Sequence, residues 1–147
     1  MNDPSGGSHR FPVRVYYEDT DFSGVVYYAN YLKFCERGRT ELLRDLGIHH
    51  SELHARAQGD RLAFVVRRIE GDFLRPATID DLLTVETDVT EIRGASIRMA
   101  QRILRGEEVL FRLAVRIAVI DGDLRPARIP ADMRLALDAA NLNGNRG

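Results

Sequence analysis

The sequence predicts a single α+β domain in which one long helix packs against an antiparallel sheet. Two observations support this class: one amphipathic helical stretch follows Gly24, and several segments of alternating apolar and polar residues come after it. A chain of 147 residues fits one domain that buries its own core. With 44% hydrophobic and 29% charged residues and a net charge of -1, the composition favours neither a disordered chain nor a nucleic-acid binder.

The first two elements follow from the spacing of apolar residues. Val13, Val15 and Tyr17 alternate with polar residues, which predicts a half-buried strand that leads into an acidic run. The stripe of the long helix recurs at helical spacing, and Gly47 is a plausible stop. Its members are Tyr31, Cys35, Gly38, Leu42 and Leu46. Glycine inside a helix costs about 1 kcal/mol relative to alanine, so we expect Gly38 to support close packing of the helix and sheet by letting a backbone approach closely.

The rest of the chain predicts a strand meander and a short last helix. Residues 61–76 predict one long strand or a bent pair, and Pro76 ends it. Alternation over 83–90, 96–103 and 109–119 predicts three further strands, with Gly94 and Gly106 between them. Residues 129–141 predict the last helix, with Pro130 near its start.

Composition also predicts the limits of the domain. Residues 1–10 and 141–147 are polar, which predicts flexible ends around a folded domain over 11–140. The sequence has no apolar run that could span a bilayer or act as a secretory leader, so we expect a cytoplasmic protein.

Its one cysteine, Cys35, cannot form an internal disulfide and is expected to be a small buried side chain.

Apolar residues on the second face of the predicted sheet suggest a homo-oligomer. One helix covers only one face of a sheet, so the other face and the edges need a different cover. The residues concerned are Ala100, Ala114, Ala118 and Ile120.

The run "VYYEDTDFSGVVYYANY" over residues 15–31 is the candidate chemical centre. On an extended chain Asp19 and Asp21 point to the same side, and Gly24 lets the backbone turn sharply into the helix. A helix start offers unpaired N–H groups and a positive dipole end, which favour a developing oxyanion. A carboxylate there can attack a carbonyl or activate water to do so. The neighbouring tyrosines are expected to pack at the junction of sheet and helix; they are Tyr16, Tyr17, Tyr27, Tyr28 and Tyr31.

The run "RVYYEDTDFSGVVYYANY" resembles the active-site signature of the 4-hydroxybenzoyl-CoA thioesterase family of hotdog-fold proteins. Within that family it is most similar to the Tol-Pal system-associated acyl-CoA thioesterase branch. The likeness continues through "ERGRTELLRDLGI", "AFVVRRIEGDFLRPATIDD" and "EIRGAS", so it covers almost all of the folded chain. The signature positions are Arg14, Val15, Thr20, Asp21, Gly24, Val25, Val26, Tyr27 and Tyr31.

The resemblance implies a hotdog fold, in which an antiparallel sheet of five or six strands wraps one long central helix. It also implies edge-to-edge homodimers, often homotetramers, and hydrolysis of an acyl-CoA to a free acid and coenzyme A without a metal or separate cofactor. Company with envelope or phospholipid-synthesis proteins is a further expectation. Acyl length and aromaticity are left open.

The resemblance places the catalytic carboxylate on Asp21, as nucleophile or general base, and the carbonyl-polarising backbone N–H on Tyr28. The branch often has histidine at the position of Tyr28, so only the backbone donor transfers. The resemblance also implies that coenzyme A lies along two segments. This is chemically reasonable, since arginines suit phosphates and exposed strand backbone suits a pantetheine arm. Those segments are Val65, Val66 and Arg67, and Arg93, Gly94, Ala95 and Ser96.

Plainer interpretations compete with each of these hypotheses. Asp21 could be a helix cap, and Glu18 and Asp19 are expected to be solvated or structural. Arg67 and Arg93 could lie on a solvated strand face. The histidine group His49, His50 and His54 is expected in a surface loop without a metal. The whole domain could also be a non-catalytic module that binds an acyl chain or a partner protein.

Overall fold

The protein folds as a five-stranded antiparallel sheet packed against one long helix, as described by a computed structural model that covers residues 8–56 and 58–141. The strands follow the order β1-β3-β4-β5-β2 across the sheet. The elements in chain order are β1 His9–Arg14, α1 Tyr28–Asp45, α2 His50–Ala55, β2 Ala63–Phe73, β3 Leu82–Arg93, β4 Ser96–Arg105, β5 Glu108–Ile120 and α3 Ala131–Ala140. This architecture confirms the predicted α+β class and the hotdog arrangement.

The first strand differs from its predicted limits. It begins at His9, which pairs with Thr87, so two residues of the predicted flexible segment 1–10 belong to the sheet. It ends at Arg14, because the chain leaves the sheet and forms a 3-10 turn over Tyr17–Asp19. The expectation that Asp19 and Asp21 share one side of an extended strand was therefore wrong. The remaining predicted flexible residues, 1–7 and 142–147, lie outside the described residues.

The later strands are confirmed: β2 is shorter than predicted, and the three strands after it extend beyond their predicted limits. Residues 61–76 contain the single strand β2 rather than a bent pair, with a bulge between Val66 and Arg68 where its register against β5 shifts. The three strands that follow pair as a meander, and Gly94 and Gly106 take positive φ values of 57° and 62° at the two tight turns. Both turns therefore use the conformation that glycine adopts without steric cost.

The long helix lies very close to the sheet. A Cβ at Gly38 would lie 2.6 Å from Cγ1 of Val85 on β3, so no larger residue fits without movement. This confirms the close approach that the sequence predicted. The buried side chain of Gln101 on β4 adds a polar link, because it donates to the carbonyl of Cys35 at 2.8 Å and accepts from Arg39 at 2.9 Å. The helix is thus held at a fixed depth under the sheet.

Within residues 8–56 and 58–141, the outer edges of β1 and β2 pair with no further strand, and part of the second face of the sheet is exposed. On the edge strand β2, Val66, Ile69 and Phe73 are each about half exposed. On the second face Ala114 is exposed and Ala100 and Ala118 are half-buried, whereas Ile120 is buried within the chain itself. Within residues 8–56 and 58–141, no helix has the length and apolarity needed to cross a membrane.

Candidate active site

A tight loop between the 3-10 turn and α1 carries Asp21. Thr20 and Val26 pair across this loop as an antiparallel bridge, and the N–H of Asp21 donates to the carbonyl of Val25 at 2.9 Å. The N–H of Gly24 closes the turn by donating to the carbonyl of Asp21 at 3.1 Å. Gly24 has a φ of 84°, which a residue with a Cβ rarely adopts, so the predicted need for glycine at this turn is confirmed.

The two oxygens of the Asp21 carboxylate differ in their hydrogen bonds. Its Oδ1 accepts hydrogen bonds from the N–H of Ser23 at 2.9 Å and from the Ser23 hydroxyl at 2.6 Å. These bonds, the hydroxyl first, lower the pKa of the Asp21 carboxyl below its ordinary value. The backbone N–H groups of Val25 and Asp21 also lower this pKa, but more weakly. Within residues 8–56 and 58–141 the bonds that meet normal hydrogen-bond geometry go to Oδ1, so Oδ2 is the oxygen that faces a ligand with least competition.

Asp19 has a different set of bonds from Asp21. Its Oδ2 accepts the N–H of Tyr16 at 2.8 Å, which closes the 3-10 turn. Its carbonyl accepts the N–H of Tyr27 at 3.0 Å and the side-chain amide of Asn30 at 2.8 Å. Asp19 therefore joins the turn to the beginning of α1, in agreement with the structural role expected for it.

The start of α1 offers a backbone donor beside this loop. The helix begins at Tyr28, and no side chain of the described residues caps it. No acceptor among residues 8–56 and 58–141 bonds the N–H of Tyr28, which is one of the first-turn donors that a helix leaves unsatisfied. Its ring packs edge-on against Phe73 of β2 with centroids 6.1 Å apart. The predicted donor is therefore present at the end of the groove between α1 and β2.

The expectation that the tyrosines pack at the junction of sheet and helix holds for Tyr31, and for Tyr28 through its contact with Phe73, but most of these side chains are exposed. Only Tyr31 is buried, at 4% exposure, whereas Tyr16, Tyr17, Tyr27 and Tyr28 are 50–82% exposed. The hydroxyl of Tyr31 accepts the N–H of Ala77 at 2.9 Å, so this tyrosine joins α1 to the segment before β3. Alternation could not separate these roles, because the chain is not extended here.

The two segments expected to hold coenzyme A lie together at the opposite end of the sheet. Val65 and Ser96 both pair with Ala118 from either side of β5, and Ala95 accepts the N–H of Val119 at 2.8 Å. Arg67 occupies the bulge of β2 and is exposed. The strand runs about 23 Å from Val66 to Phe73, at roughly 3.3 Å per residue. Within one chain, the two coenzyme A segments therefore lie together, and so do Asp21 and the start of α1. These two groups lie at opposite ends of β2.

The remaining predictions about reactive side chains concern Cys35 and the histidines. Burial raises the pKa of the Cys35 thiol to about 12, so it is not a thiolate at neutral pH, and it packs as predicted. His50 begins the short helix α2, which the sequence did not predict, and its ring lies edge-on to Phe64 at 5.4 Å. In the described part of the chain, no three His, Cys, Asp or Glu residues are arranged to hold a metal ion.

Comparisons with known proteins place the chain in a family. The model of the Thioesterase-like superfamily matches residues 15–137. The acyl-CoA thioesterase YbgC of Haemophilus influenzae is 46% identical over 127 residues, which are 86% of this chain and 91% of the relative. The acyl-CoA thioester hydrolase YbgC of Escherichia coli is 43% identical over 123 residues, 82% of this chain and 89% of the relative.

Solved structures agree with the sequence comparisons. The crystal structure of a probable thioesterase from Bartonella henselae superposes with a TM-score of 0.80 at 50% identity, covering 84% of this chain and 99% of that one. A hypothetical protein from Thermus thermophilus superposes with a TM-score of 0.83 at 26% identity, covering 90% of this chain and 99% of its own. The chain therefore belongs to the thioesterase-like superfamily, and it is a thioester hydrolase.

Proposed function

We propose that the protein hydrolyses an acyl-CoA thioester to a free acid and coenzyme A, with Asp21 as the reacting carboxylate and the N–H of Tyr28 as the oxyanion donor. The observation that carries this proposal is the less bonded Oδ2 of an ionised Asp21 in the loop that leads directly into the uncapped start of α1. The names of the two YbgC relatives support the substrate class.

The ionised carboxylate of Asp21 can attack the thioester carbonyl directly or activate water to do so. Its lowered pKa keeps it charged at neutral pH, as both routes require, and weakens its basicity and its nucleophilicity together. We propose direct attack as the route to test first. Attack by Oδ2 forms a tetrahedral oxyanion, whose collapse expels the coenzyme A thiolate and leaves an acyl anhydride on Asp21. Water then cleaves the anhydride, releasing the acid and restoring the carboxylate.

The helix start stabilises the charge that develops in this step. The N–H of Tyr28 lies in the first turn of an 18-residue helix, where the dipole adds to the hydrogen bond. A single oxyanion donor of this kind contributes about 10²–10³ in rate in enzymes that use one. The proposed route draws only on Asp21, water and this backbone donor, and coenzyme A enters as part of the substrate.

We also propose that a second copy of the chain completes the site through the β2 edge. Within the described residues β2 pairs only with β5, and three of its eleven residues, Val66, Ile69 and Phe73, are exposed apolar side chains, so this edge can act as a template for strand pairing. Antiparallel pairing of two β2 strands sets the Phe73 end of one copy beside the Val65 end of the other. The coenzyme A segments of the partner would then lie near Asp21.

Hydrolysis in ¹⁸O water tests the mechanism. Under single turnover, water attack on Cγ of the anhydride puts label into the carboxylate of Asp21. Water attack on the acyl carbonyl of the anhydride, or on the thioester itself, labels only the released acid. A panel of short, long, aromatic and hydroxylated acyl-CoA esters, ranked by kcat/KM, identifies the acyl group. Tight binding of these esters without release of coenzyme A would overturn the enzymatic proposal and support a non-catalytic acyl-binding module.

The proposed pairing is tested by a charge on the β2 edge. Ile69→Asp should convert a dimer to a monomer in sedimentation velocity and reduce kcat/KM, because a buried unpaired carboxylate is unfavourable. Leu135→Asp on α3, where the side chain is 74% exposed, is the matched control and should change neither quantity. An Ile69→Asp protein that stays dimeric would show that this edge is not the interface.

A further inference from the structure

Residues 76–81, which we name the anchor segment, lie between the Asp21 loop and the sheet. Val25 pairs with Thr78 as an antiparallel bridge, and the N–H of Val26 donates to the carbonyl of Ala77 at 2.9 Å. The N–H of Ile79 donates to the carbonyl of Gly24 at 3.2 Å. The second half of the Asp21 loop, residues 24–26, is therefore bonded to the anchor segment.

The same segment also contacts the helix that supplies the oxyanion donor. The N–H of Ala77 donates to the hydroxyl of Tyr31, which is three residues after Tyr28 on α1. The ring of Tyr31 is buried and stacks on Phe111 of β5 with centroids 5.4 Å apart. A movement of the anchor segment would therefore move the carboxylate loop relative to the helix start.

A side-chain ion pair fastens the anchor segment to the sheet. Oδ2 of Asp81 accepts from the N–H and hydroxyl of Thr78 at 2.9 and 3.2 Å, and from Arg105 of β4 at 2.8 Å. The Arg105 guanidinium also donates to the carbonyl of Pro76 at 3.4 Å and to Glu108 at 2.8 Å. Arg105 thus bonds both ends of the segment, and Asp81 bonds its centre.

The hydrogen bonds around Asp81 stabilise the ionised form of its carboxyl group. Burial acts to raise the pKa of the Asp81 carboxyl, but the hydrogen bonds from Thr78 and Arg105 outweigh it and hold the pKa below its ordinary value. The side chains of Asp81 and Arg105 are 19% and 35% exposed, so solvent screens the pair only in part. Asp81 is therefore ionised and bonded throughout the neutral range.

We propose that Asp81 and Arg105 are positioning residues that set the Asp21 carboxylate against the N–H of Tyr28. Neither side chain has a bond to Asp21 itself, so they act through the anchor segment. This inference rests on the proposed role of Asp21. A displacement of about 1 Å from productive geometry can cost about 10²-fold in rate, so loosening the segment should lower kcat. The binding of coenzyme A should be almost unchanged, because none of the residues expected to hold it belongs to the anchor segment.

The test compares kcat and KM for an acyl-CoA in variants of the pair. Asp81→Asn and Arg105→Gln should each lower kcat about 10- to 100-fold with KM changed less than about 2-fold. Arg105→Lys keeps the positive charge but loses the guanidinium, which donates to several acceptors at once. Its kcat should therefore lie between those of Arg105→Gln and the parent. Glu41→Gln, which removes an exposed ion pair on α1 at 3.4 Å, is the control and should behave as the parent.

A background without the reacting carboxylate separates positioning from general damage. In Asp21→Asn protein the residual rate should not fall further when Asp81→Asn is added, because there is no carboxylate left to position. Thr78→Val, which removes only the hydroxyl contact, provides a milder variant if Asp81→Asn fails to fold, and it should lower kcat a few-fold.

Three results would overturn the proposal. They are an unchanged kcat in folded variants, a rise in KM alone, or an equal loss in the Asp21→Asn background. If Asp21→Asn itself keeps the parent rate, the proposed function fails instead, and that result is visible before any variant of the pair is made.

Discussion

Asp19 and Asp21 are the same residue type two positions apart, yet the turn around Asp19 and the loop around Asp21 use their carboxylates differently. Asp19 closes the 3-10 turn through the N–H of Tyr16, and its carbonyl bonds the start of α1. The carboxylate of Asp21 bonds to Ser23 within its own loop. In both side chains one carboxylate oxygen is bonded, so the difference lies in what each residue connects: Asp19 joins its turn to α1, whereas Asp21 bonds only within its loop.

The largest expected effect comes from removing the charge of the Asp21 carboxylate. Asp21→Asn keeps the size of the side chain and should lower kcat by at least about 10³-fold, as loss of a nucleophile does in other hydrolases. Thermal unfolding should match that of the parent, because Asp21 is bonded only to its own loop. Asp19→Asn is the matched control, and an equal loss of kcat there would remove the distinction between the two aspartates.

The next effect is on stability and concerns the structural carboxylate. Asp19→Ala removes the acceptor of the Tyr16 N–H and should lower the free energy of unfolding by about 1 kcal/mol, while kcat falls less than 10-fold. Denaturant unfolding with activity measured on the same protein checks both quantities. Asp19→Asn keeps an acceptor oxygen and should recover most of the stability, and a large loss of activity without loss of stability would contradict the assignment.

The smallest effect is a shift of the acid limb of activity. The Ser23 hydroxyl is the main cause of the low pKa of Asp21, so Ser23→Ala should raise that pKa toward its ordinary value. Since kcat/KM falls as Asp21 is protonated, the acid limb should move to higher pH. Profiles of kcat/KM against pH for the parent, Ser23→Ala and the control Ser51→Ala measure this, and an unmoved limb would mean that Asp21 does not control it.

The fold was largely predictable, because its signals are local and periodic. The stripe of α1, the stop at Gly47 and the alternation of the last three strands depend on residues that are neighbours in sequence. Gly47 indeed takes a φ of 83° after the helix. The close approach at Gly38 was also predictable, because a glycine inside a helix needs a packing reason.

The site was predictable only in part. The carboxylate and the helix start could be proposed from sequence, and their roles stay a prediction. The 3-10 turn at Tyr17–Asp19 has no glycine or proline to mark it, and it is closed by bonds between Tyr16 and Asp19 that alternation does not report. The links from Tyr31 to Ala77 and from Arg105 to Asp81 join residues 46 and 24 positions apart, and no local pattern reports such pairs.

The open edge of β2 makes the proposed enzyme sensitive to its own abundance. If two copies are needed to assemble one site, mass action sets the fraction of competent chains, and specific activity falls on dilution below the dissociation constant of the pair. A high concentration of substrate would restore it, because coenzyme A spanning both copies binds only the assembled form. At low concentrations of both protein and acyl-CoA, most copies would then be monomeric and inactive. A rise in the concentration of the protein or of acyl-CoA would increase the rate of hydrolysis per copy.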